Sequence, residues 1–316
     1  MQSVDVSVII PFHNEMRGIN HTLAQLDNQS VQPQEVLFVD SNSSDETRRL
    51  IQKWIELRTK NVSVISILDA TESGPGGARN QGLRTAQCKY LAFMDCGLTF
   101  EADWLERFFT ILESQPQLTW ISGVCRLEGV GLIDQCAVAN TYGYRRLRPT
   151  LPTSMLRAVL ISRIGLFRNV RAGEDLEWIA RCSSSGMTRL IDSTTEIRYQ
   201  GTNYASSLLS LVRKSYDYSK HMFQAGRTRA GLVVLFAPLL STLALFMDLL
   251  NILELSLAYS LLRVFMLFAK NGVQAFRFLR PDRLFMTAVT SLLIDLGRTL
   301  GVVRSAVSLV TARRET

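Results

Sequence analysis

Two stretches of this 316-residue chain place a carboxylate where a ligand would meet it. In Tyr90–Gly97, YLAFMDCG, the apolar residues Tyr90–Met94 run into Asp95 and then Gly97. In Glu35–Thr47, EVLFVDSNSSDET, an apolar run ends on Asp40 before a Ser/Asn-rich turn. An acid at the mouth of a buried strand can accept a hydrogen bond from a ligand or take its proton. The competing reading of Asp95 is a turn aspartate that caps the next helix. A third stretch, SGPGGARNQGL (Ser73–Leu83), offers the opposite charge. Glycines ahead of a helix leave backbone N–H groups open to an anion, and Arg79 adds a fixed charge, an arrangement suited to a diphosphate. Arg79 stands where the third glycine of GxGxxG belongs, so a dinucleotide fingerprint is a poor match.

These groups need a scaffold, and the hydrophobic pattern supplies one. Val4–Glu15 is an apolar strand halted by Pro11, with Asn14 as a helix cap. Ile19, Leu23 and Leu26 give a helical face, and Asp45 caps the helix that carries Leu50, Trp54 and Leu57. Strands over Val62–Leu68 and Tyr90–Asp95 follow, then a helix with Trp104, Leu105, Phe108 and Leu112 on one side. Runs without polar alternation are strands buried on both faces. Strand–helix alternation at this spacing predicts an α/β fold with a mostly parallel sheet flanked by helices, and ligands bind beyond the carboxyl ends of such strands. Acidic or polar residues end strand after strand, which favours a site over isolated turn chemistry.

The charge is uneven. Residues 1–200 carry 21 Lys/Arg against 22 Asp/Glu, whereas 201–316 carry 14 against 6. Interleaving of those basic residues with long aliphatic runs argues for a membrane surface and against nucleic acid. Gly231–Met247 is uncharged, and Ile252–Ala269 holds only Glu254 and Arg263. Basic flanks outside both runs predict a membrane hairpin over 231–269 with both ends cytoplasmic. Arg263 is expensive in lipid, which keeps a surface-lying helical pair as the competitor, with a helical dimerisation domain as a further one. Leu284–Val310 reads as amphipathic or interfacial. The five cysteines show no CxxC spacing, which fits a reducing compartment and argues against zinc. The apolar run Val6–Ile10 is too short for a signal peptide and lacks a basic leader, so the chain is expected to fold in the cytoplasm. Glu128–Pro149, with Tyr142, Tyr144 and three arginines, is expected as an acceptor loop or a solvated insertion.

Taken in order, VIIPFHNE, VDSNSSDET, GPGGARNQGL, LAFMDCG and IGLFRNVRAGEDLEWIAR (Ile164–Arg181) resemble the motifs of family 2 glycosyltransferases with the GT-A fold. The resemblance covers about Val4–Ile197, so a transferase domain over 1–204 is expected, with a basic, apolar helical tail over 205–316. It implies an inverting enzyme that moves a sugar from a nucleotide-diphosphate donor to a hydroxyl acceptor. It implies that Pro11, His13, Glu15 and Asp40 line the nucleoside pocket, and that Arg79 with Gly76 and Gly77 faces the diphosphate. Asp95 matches the first acid of Asp-x-Asp and a metal ligand. Asp175 matches the general base, with Glu174 orienting the site. His13 stands where many relatives have tyrosine, which makes it a pocket wall.

Two departures bear on the divalent ion, Mg²⁺ or Mn²⁺, that the family uses. Gly97 replaces the second acid of Asp-x-Asp, and Ile197–Tyr204 lacks the histidine expected after the Glu-Asp helix. His221 comes later, where a surface histidine competes with a ligand. Weak metal dependence is therefore expected, with Arg79 taking over the charge. No Q-x-x-R-W stretch supports a processive polymerase. Membrane association implies a lipid-linked or glycan acceptor in polysaccharide assembly, on the cytoplasmic face of the inner membrane. The alternative is a degenerate, non-catalytic partner that binds sugar nucleotides at the membrane. A nucleotidyl transferase is the weaker rival, since its glycine-rich loop would follow the first strand.

Overall fold

The structure is a computed structural model that describes residues 3–57, 64–145, 148–168, 173–199, 207–224 and 252–312. These residues fold as two units, Met1–Arg126 with Leu147–Gln200, and Leu127–Arg146 with Gly201–Thr316.

The first unit is a mixed, mostly parallel sheet flanked by helices. Strands β1 (Ser3–Phe12), β2 (Gln32–Asp40), β3 (Val64–Asp69) and β4 (Tyr90–Phe93) are parallel neighbours in the order β3-β2-β1-β4. Between them run helices α1 (Ile19–Asp27), α2 (Thr47–Leu57) and α3 (Gly74–Thr85). Successive side chains of a strand face opposite ways. Val8, Ile10, Phe38 and Ala92 therefore enter one core, where α1, α2 and the later α4 (Trp104–Ser114) bring Ile19, Ile51 and Trp104. Ile9, Leu37, Leu91 and Phe93 enter the other, with Leu83 of α3, Ile164 of α6 (Ile161–Ile164) and Trp178 of α7 (Glu174–Ser184). Helices on both faces explain why these strands lack polar alternation.

The sheet continues through β7 (Arg148–Arg157), which is antiparallel to β4 and to β6 (Trp120–Arg126). The edge is β8 (Arg189–Tyr199), parallel to β6, and the short β5 (Leu98–Thr99). The chain steps outward from β1 to β3, then returns to place β4 on the other side of β1. That reversal opens a crevice beyond the carboxyl ends of β1 and β4, the usual ligand position in such sheets. Helix α3 lies close over β1, because a Cβ on Gly82 would stand 2.5 Å from Ile9 Cγ2.

Local details differ from the sequence reading. β1 runs one residue past Pro11, which pairs in register with Val39 at the end of the ladder. Asn14 caps no helix: α1 starts at Ile19, and Asn14 adopts φ +55°, a conformation asparagine tolerates better than most residues. Asp45 does cap, accepting from the Thr47 N–H at 3.0 Å.

Among the described residues the second unit is helical. Its helices are α5 (Leu132–Asn140), α8 (Leu208–Gln224), α9 (Ile252–Asn271), α10 (Phe276–Leu279) and α11 (Pro281–Ala312). Helix α5 falls within the segment expected to be a loop. Its Cys136 and Ala139 are buried with Leu267, Ala275 and Phe278, and Tyr144 stacks on Phe278 at 5.6 Å. The segment thus has a core, which its short hydrophobic positions hide in the sequence. Of the expected hairpin, Gly231–Met247 lies outside the described residues, and Ile252–Ala269 forms α9. The residues Pro281–Ser308 of α11 form a helix long and apolar enough to cross a membrane. Arg263 is not left bare on α9, since it reaches Asp295 at 3.4 Å and Asn140 Oδ1 at 3.1 Å.

Candidate active site

The centre of the first unit's crevice is an arginine held by two acids. Arg79 lies one turn into α3, and its side chain is buried. One terminal nitrogen donates to Glu174 Oε1 at 3.0 Å, and the other to Asp95 Oδ1 at 2.9 Å and Oδ2 at 3.2 Å. Among the described residues its Nε has no partner, and the guanidinium lies 5.8 Å from the centroid of the Phe167 ring. Burial alone would weaken its hold on the proton. The charges of Asp95, Glu174 and Asp175 more than reverse that and raise its pKa above the ordinary value.

Three sequence-distant elements converge here, each for a local reason. Asp95 follows β4, and Gly97 at φ +75° turns the chain away behind it, donating to Thr22 Oγ1 at 2.9 Å. Glu174 opens α7, where the positive end of the helix favours an acid. Burial raises the Glu174 pKa, Arg79 opposes that rise, and the neighbouring charge of Asp175 adds to it. Asp175, half-buried in the same first turn, is close enough to act electrostatically on both Arg79 and Glu174. Gly76 and Gly77 are buried in the first turn of α3. A Cβ on Gly76 would stand 3.2 Å from Glu174 Cγ, so the glycine lets α7 approach.

Beyond β1 and β2 lies a second cluster. Asp40 accepts from the Ser43 N–H at 2.8 Å and from Arg48 at 3.3 Å, and Arg48 also bonds Asp69 at the end of β3. His13 is exposed and donates through Nδ1 to the Ser41 carbonyl at 2.9 Å, with Asn14 Nδ2 3.3 Å from its Nε2. Asn14 Oδ1 accepts from the Ser44 N–H at 2.8 Å, which ties the loops after β1 and β2 together. Glu15 bridges the two clusters electrostatically. Burial, then the charges of Asp95 and Asp45, push its pKa up, with His13 opposing. Pro11 sits at the base of this loop in the sheet.

The structure therefore gathers Arg79, Asp95, Glu174 and Asp175 in one place, with Glu15 near Asp95. It sets Asp40 and His13 at the neighbouring strand ends. Residues the sequence reading passed over belong here as well. Asn80 and the backbone of Phe167 exchange hydrogen bonds at 2.9 and 2.8 Å, which fixes the segment before α7 onto α3. Asn80 was visible as the polar neighbour of Arg79. Phe167 and Arg48 gave no signal, because their partners are remote in sequence.

The donor set at Asp95 does not fit a divalent ion held by protein ligands alone. Both Asp95 oxygens already accept from Arg79, and Gly97 offers no carboxylate. Among the described residues no group of three His, Cys, Asp or Glu side chains could hold a metal ion.

Residues 7–158 match the family described as Glycosyl transferase family 2. The chain is 24% identical over 192 residues to the glycosyltransferase AglE of Haloferax volcanii, covering 57% of this chain and 62% of that one. It is 29% identical over 131 residues to the amylovoran biosynthesis glycosyltransferase AmsB of Erwinia amylovora, covering 42% and 39%. The chain spans between 30% and 62% of the length of such curated relatives. Its fold is similar to that of the mannosyltransferase PcManGT from Pyrobaculum calidifontis, solved in complex with GDP-Man and Mn²⁺. The TM-score is 0.58 at 19% identity, over 94% of this chain and 86% of that one.

Proposed function

Residues 7–158 belong to glycosyltransferase family 2, and from that premise we propose that the chain moves a sugar from a nucleotide-diphosphate donor to a hydroxyl acceptor with inversion. The observation that carries this reading is Asp175 in the first turn of α7, beside a Glu174 and an Asp95 that share Arg79. Arg79 holds Glu174 and Asp95 through its terminal nitrogens, and Asp175 stands beside them. In the proposed step Asp175 takes the acceptor proton as the acceptor oxygen bonds to the anomeric carbon. The bond from that carbon to the diphosphate oxygen breaks, and the electron pair leaves with the diphosphate.

Arg79 acts at one remove. Its terminal nitrogens are taken by Asp95 and Glu174, so it positions acids rather than gripping the leaving group directly. The nucleoside lies over the ends of β1 and β2, where His13 supplies a wall and Asp40 and Glu15 accept from the donor. With both Asp95 oxygens engaged by Arg79, the step as proposed uses no protein-held metal. The named activity of AmsB and the apolar helix α11 support a lipid-linked glycan acceptor in polysaccharide assembly, at the cytoplasmic face of a membrane.

The test is Asp175→Asn. Transfer is expected to fall by about two to four orders of magnitude, with donor binding by calorimetry nearly unchanged and an inverted anomeric product from wild type. Unchanged turnover would remove Asp175 from the role. Donor binding by a wild type that transfers to no acceptor in a broad panel would favour the non-catalytic alternative, which the lost second acid at Gly97 otherwise supports.

A further inference from the structure

Helix α11 is built inside out. Its outward positions, 285, 292, 296, 300, 303 and 307, recur at helical spacing and are all apolar. Phe285 is 76% exposed, and Leu292, Leu296, Leu300, Val303 and Val307 are about half exposed. Its buried positions are mostly small or polar, Thr287, Thr290, Ser291, Gly297, Gly301 and Ser305, with Ile294 and Val302 the large apolar residues among them. A helix on a water-soluble surface has the reverse pattern. Helix α9 continues the apolar surface, with Leu257, Leu261 and Phe265 exposed, and turns its one mid-helix charge inward. That charge, Arg263, meets Asp295 of α11 at 3.4 Å, and Tyr259 donates to the same carboxylate at 2.9 Å.

What lies on the other side of α11 decides how such a surface meets lipid. Gly297 and Gly301 sit roughly opposite the apolar stripe. Cβ atoms there would stand 2.5 Å from the Val212 carbonyl oxygen and 2.4 Å from that of Tyr216, so α8 is packed directly on the helix backbone. Ser305 fixes the contact by donating to the Lys220 carbonyl at 2.9 Å. Along that contact α8 carries Arg213, Lys214, Asp217 and Lys220, with Arg213 exposed. If α11 crossed a bilayer, this charged helix would lie at the same depth, in hydrocarbon, where each charge is costly. Laid flat, α11 puts its stripe down and α8 up into water. Exposed Arg277, Arg280 and Arg304, with half-buried Arg283, then stand at the ends of the apolar stripe, at headgroup level.

We propose that α9 and α11 form a monotopic raft that rests on an anionic lipid leaflet, with α11 in the membrane plane and its Phe285–Val307 stripe in the outer acyl region. The apolar stripe supplies insertion, and the basic rim supplies the charge complement of anionic headgroups. This rests on the membrane location proposed above and fixes its geometry.

A depth profile on the full chain tests it. Single nitroxide labels are placed through Phe285→Cys, Leu292→Cys, Leu296→Cys, Val303→Cys and Arg213→Cys, with the chain lacking an added cysteine as blank. Vesicles contain phosphatidylglycerol and phosphatidylcholine, and oxygen and a nickel chelate report depth. The four stripe labels are expected at one shallow level, about 5–10 Å below the phosphates, with the label at 213 in water. A depth that changes by about 27 Å between 285 and 303, at ~1.5 Å per residue, would mean a spanning helix and overturn the proposal. Stripe labels shielded equally with and without vesicles would mean that residues 225–251 or a second copy cover the face, and would overturn it too. Failure to bind vesicles would remove the membrane location as well, while turnover on a water-soluble acceptor would leave the transferase reading standing. Independently, Arg277→Gln and Arg280→Gln should each lower partitioning onto anionic vesicles by about fivefold, and no loss would remove the basic rim from the account.

Discussion

Replacing Arg79 by methionine keeps most of the side-chain volume and removes the charge that two acids share. Three hydrogen bonds are lost, one to Glu174 and two to Asp95. The Glu174 side chain is 7% exposed, so water cannot replace its partner, whereas Asp95 at 23% is partly rescued. Removing one member of such a buried pair costs about 3–5 kcal/mol, and for a domain of this size that lowers the melting temperature by ~10 °C. The pH dependence identifies the cause. Burial already raises the Glu174 pKa, and Arg79 is the group that opposes the rise. In Arg79→Met the folded-state pKa therefore moves further above the unfolded value. The destabilisation is present in full above that raised pKa and fades as pH falls through it, by about 1.4 kcal/mol for each tenfold gain in the carboxylate's proton affinity. Melts of wild type and Arg79→Met from pH 8 to pH 5, followed by circular dichroism, should converge towards acid. Equal stability at every pH, combined with lost donor binding, would refute the reasoning and return Arg79 to the leaving diphosphate.

Burial, then the charges of Asp95 and Asp45, disfavour the charged form of Glu15 and raise its pKa, with His13 opposing. Glu15→Gln should raise the melting temperature at pH 7, lose that gain as pH falls through the raised carboxyl pKa, and weaken donor binding; a gain that persists in acid would count against it. Gly97→Asp places a second acid where no atom lies within 4 Å of the new Cβ, although φ +75° costs about 1–2 kcal/mol. Mn²⁺ titrated by calorimetry should bind the variant more tightly than wild type, and EDTA should leave wild-type transfer within a few-fold. Complete loss of wild-type activity in EDTA, restored by Mn²⁺, would show that the protein completes a metal site without an acid at 97.

The sheet was legible because burial on both faces writes itself as uninterrupted apolar runs. Val8–Ile10, Val36–Val39 and Leu91–Phe93 are buried strand cores, and the acids predicted at their ends stand at the crevice. The helices between them showed the 3.6 period, as at Trp104, Leu105, Phe108 and Leu112. The family match over residues 7–158 falls on this part of the chain. Long-range pairing was not legible. Residue type marks Arg79 as a cation, but nothing local says that it meets Glu174, 95 residues on, and Asp95. The glycines before it invited the same anion reading, yet Gly76 makes room for Glu174 and Gly77 lies within 2.4 Å, as a Cβ would measure it, of the Glu72 carbonyl oxygen.

The second unit hid its order for a different reason. Hydropathy counts how much apolar surface a helix has, not which way that surface faces. Leu284–Val310, broken by Asp295, Arg298 and Arg304, therefore read as amphipathic or interfacial, but with no direction for its apolar face. In the folded unit Asp295 meets Arg263 and Tyr259 on the inner side, and Leu292 and Leu296 lie on the outer one. The glycines at 297 and 301, unremarkable among residues of mixed character, are where the backbone of α8 comes within van der Waals reach. Small side chains allow that approach and leave room inside for few large ones, Ile294 and Val302 among them, so the rest of the apolar residues point outward. The polarity inversion of α11 follows from that single packing choice, and it makes Gly301→Leu the sharpest perturbation of the unit. A leucine there collides with the Tyr216 carbonyl, separates α8 from α11, and should abolish vesicle binding together with the cooperative melt of the helices. Normal vesicle binding by Gly301→Leu would mean that the stripe does not depend on the α8 contact, and the inside-out packing would lose its structural cause.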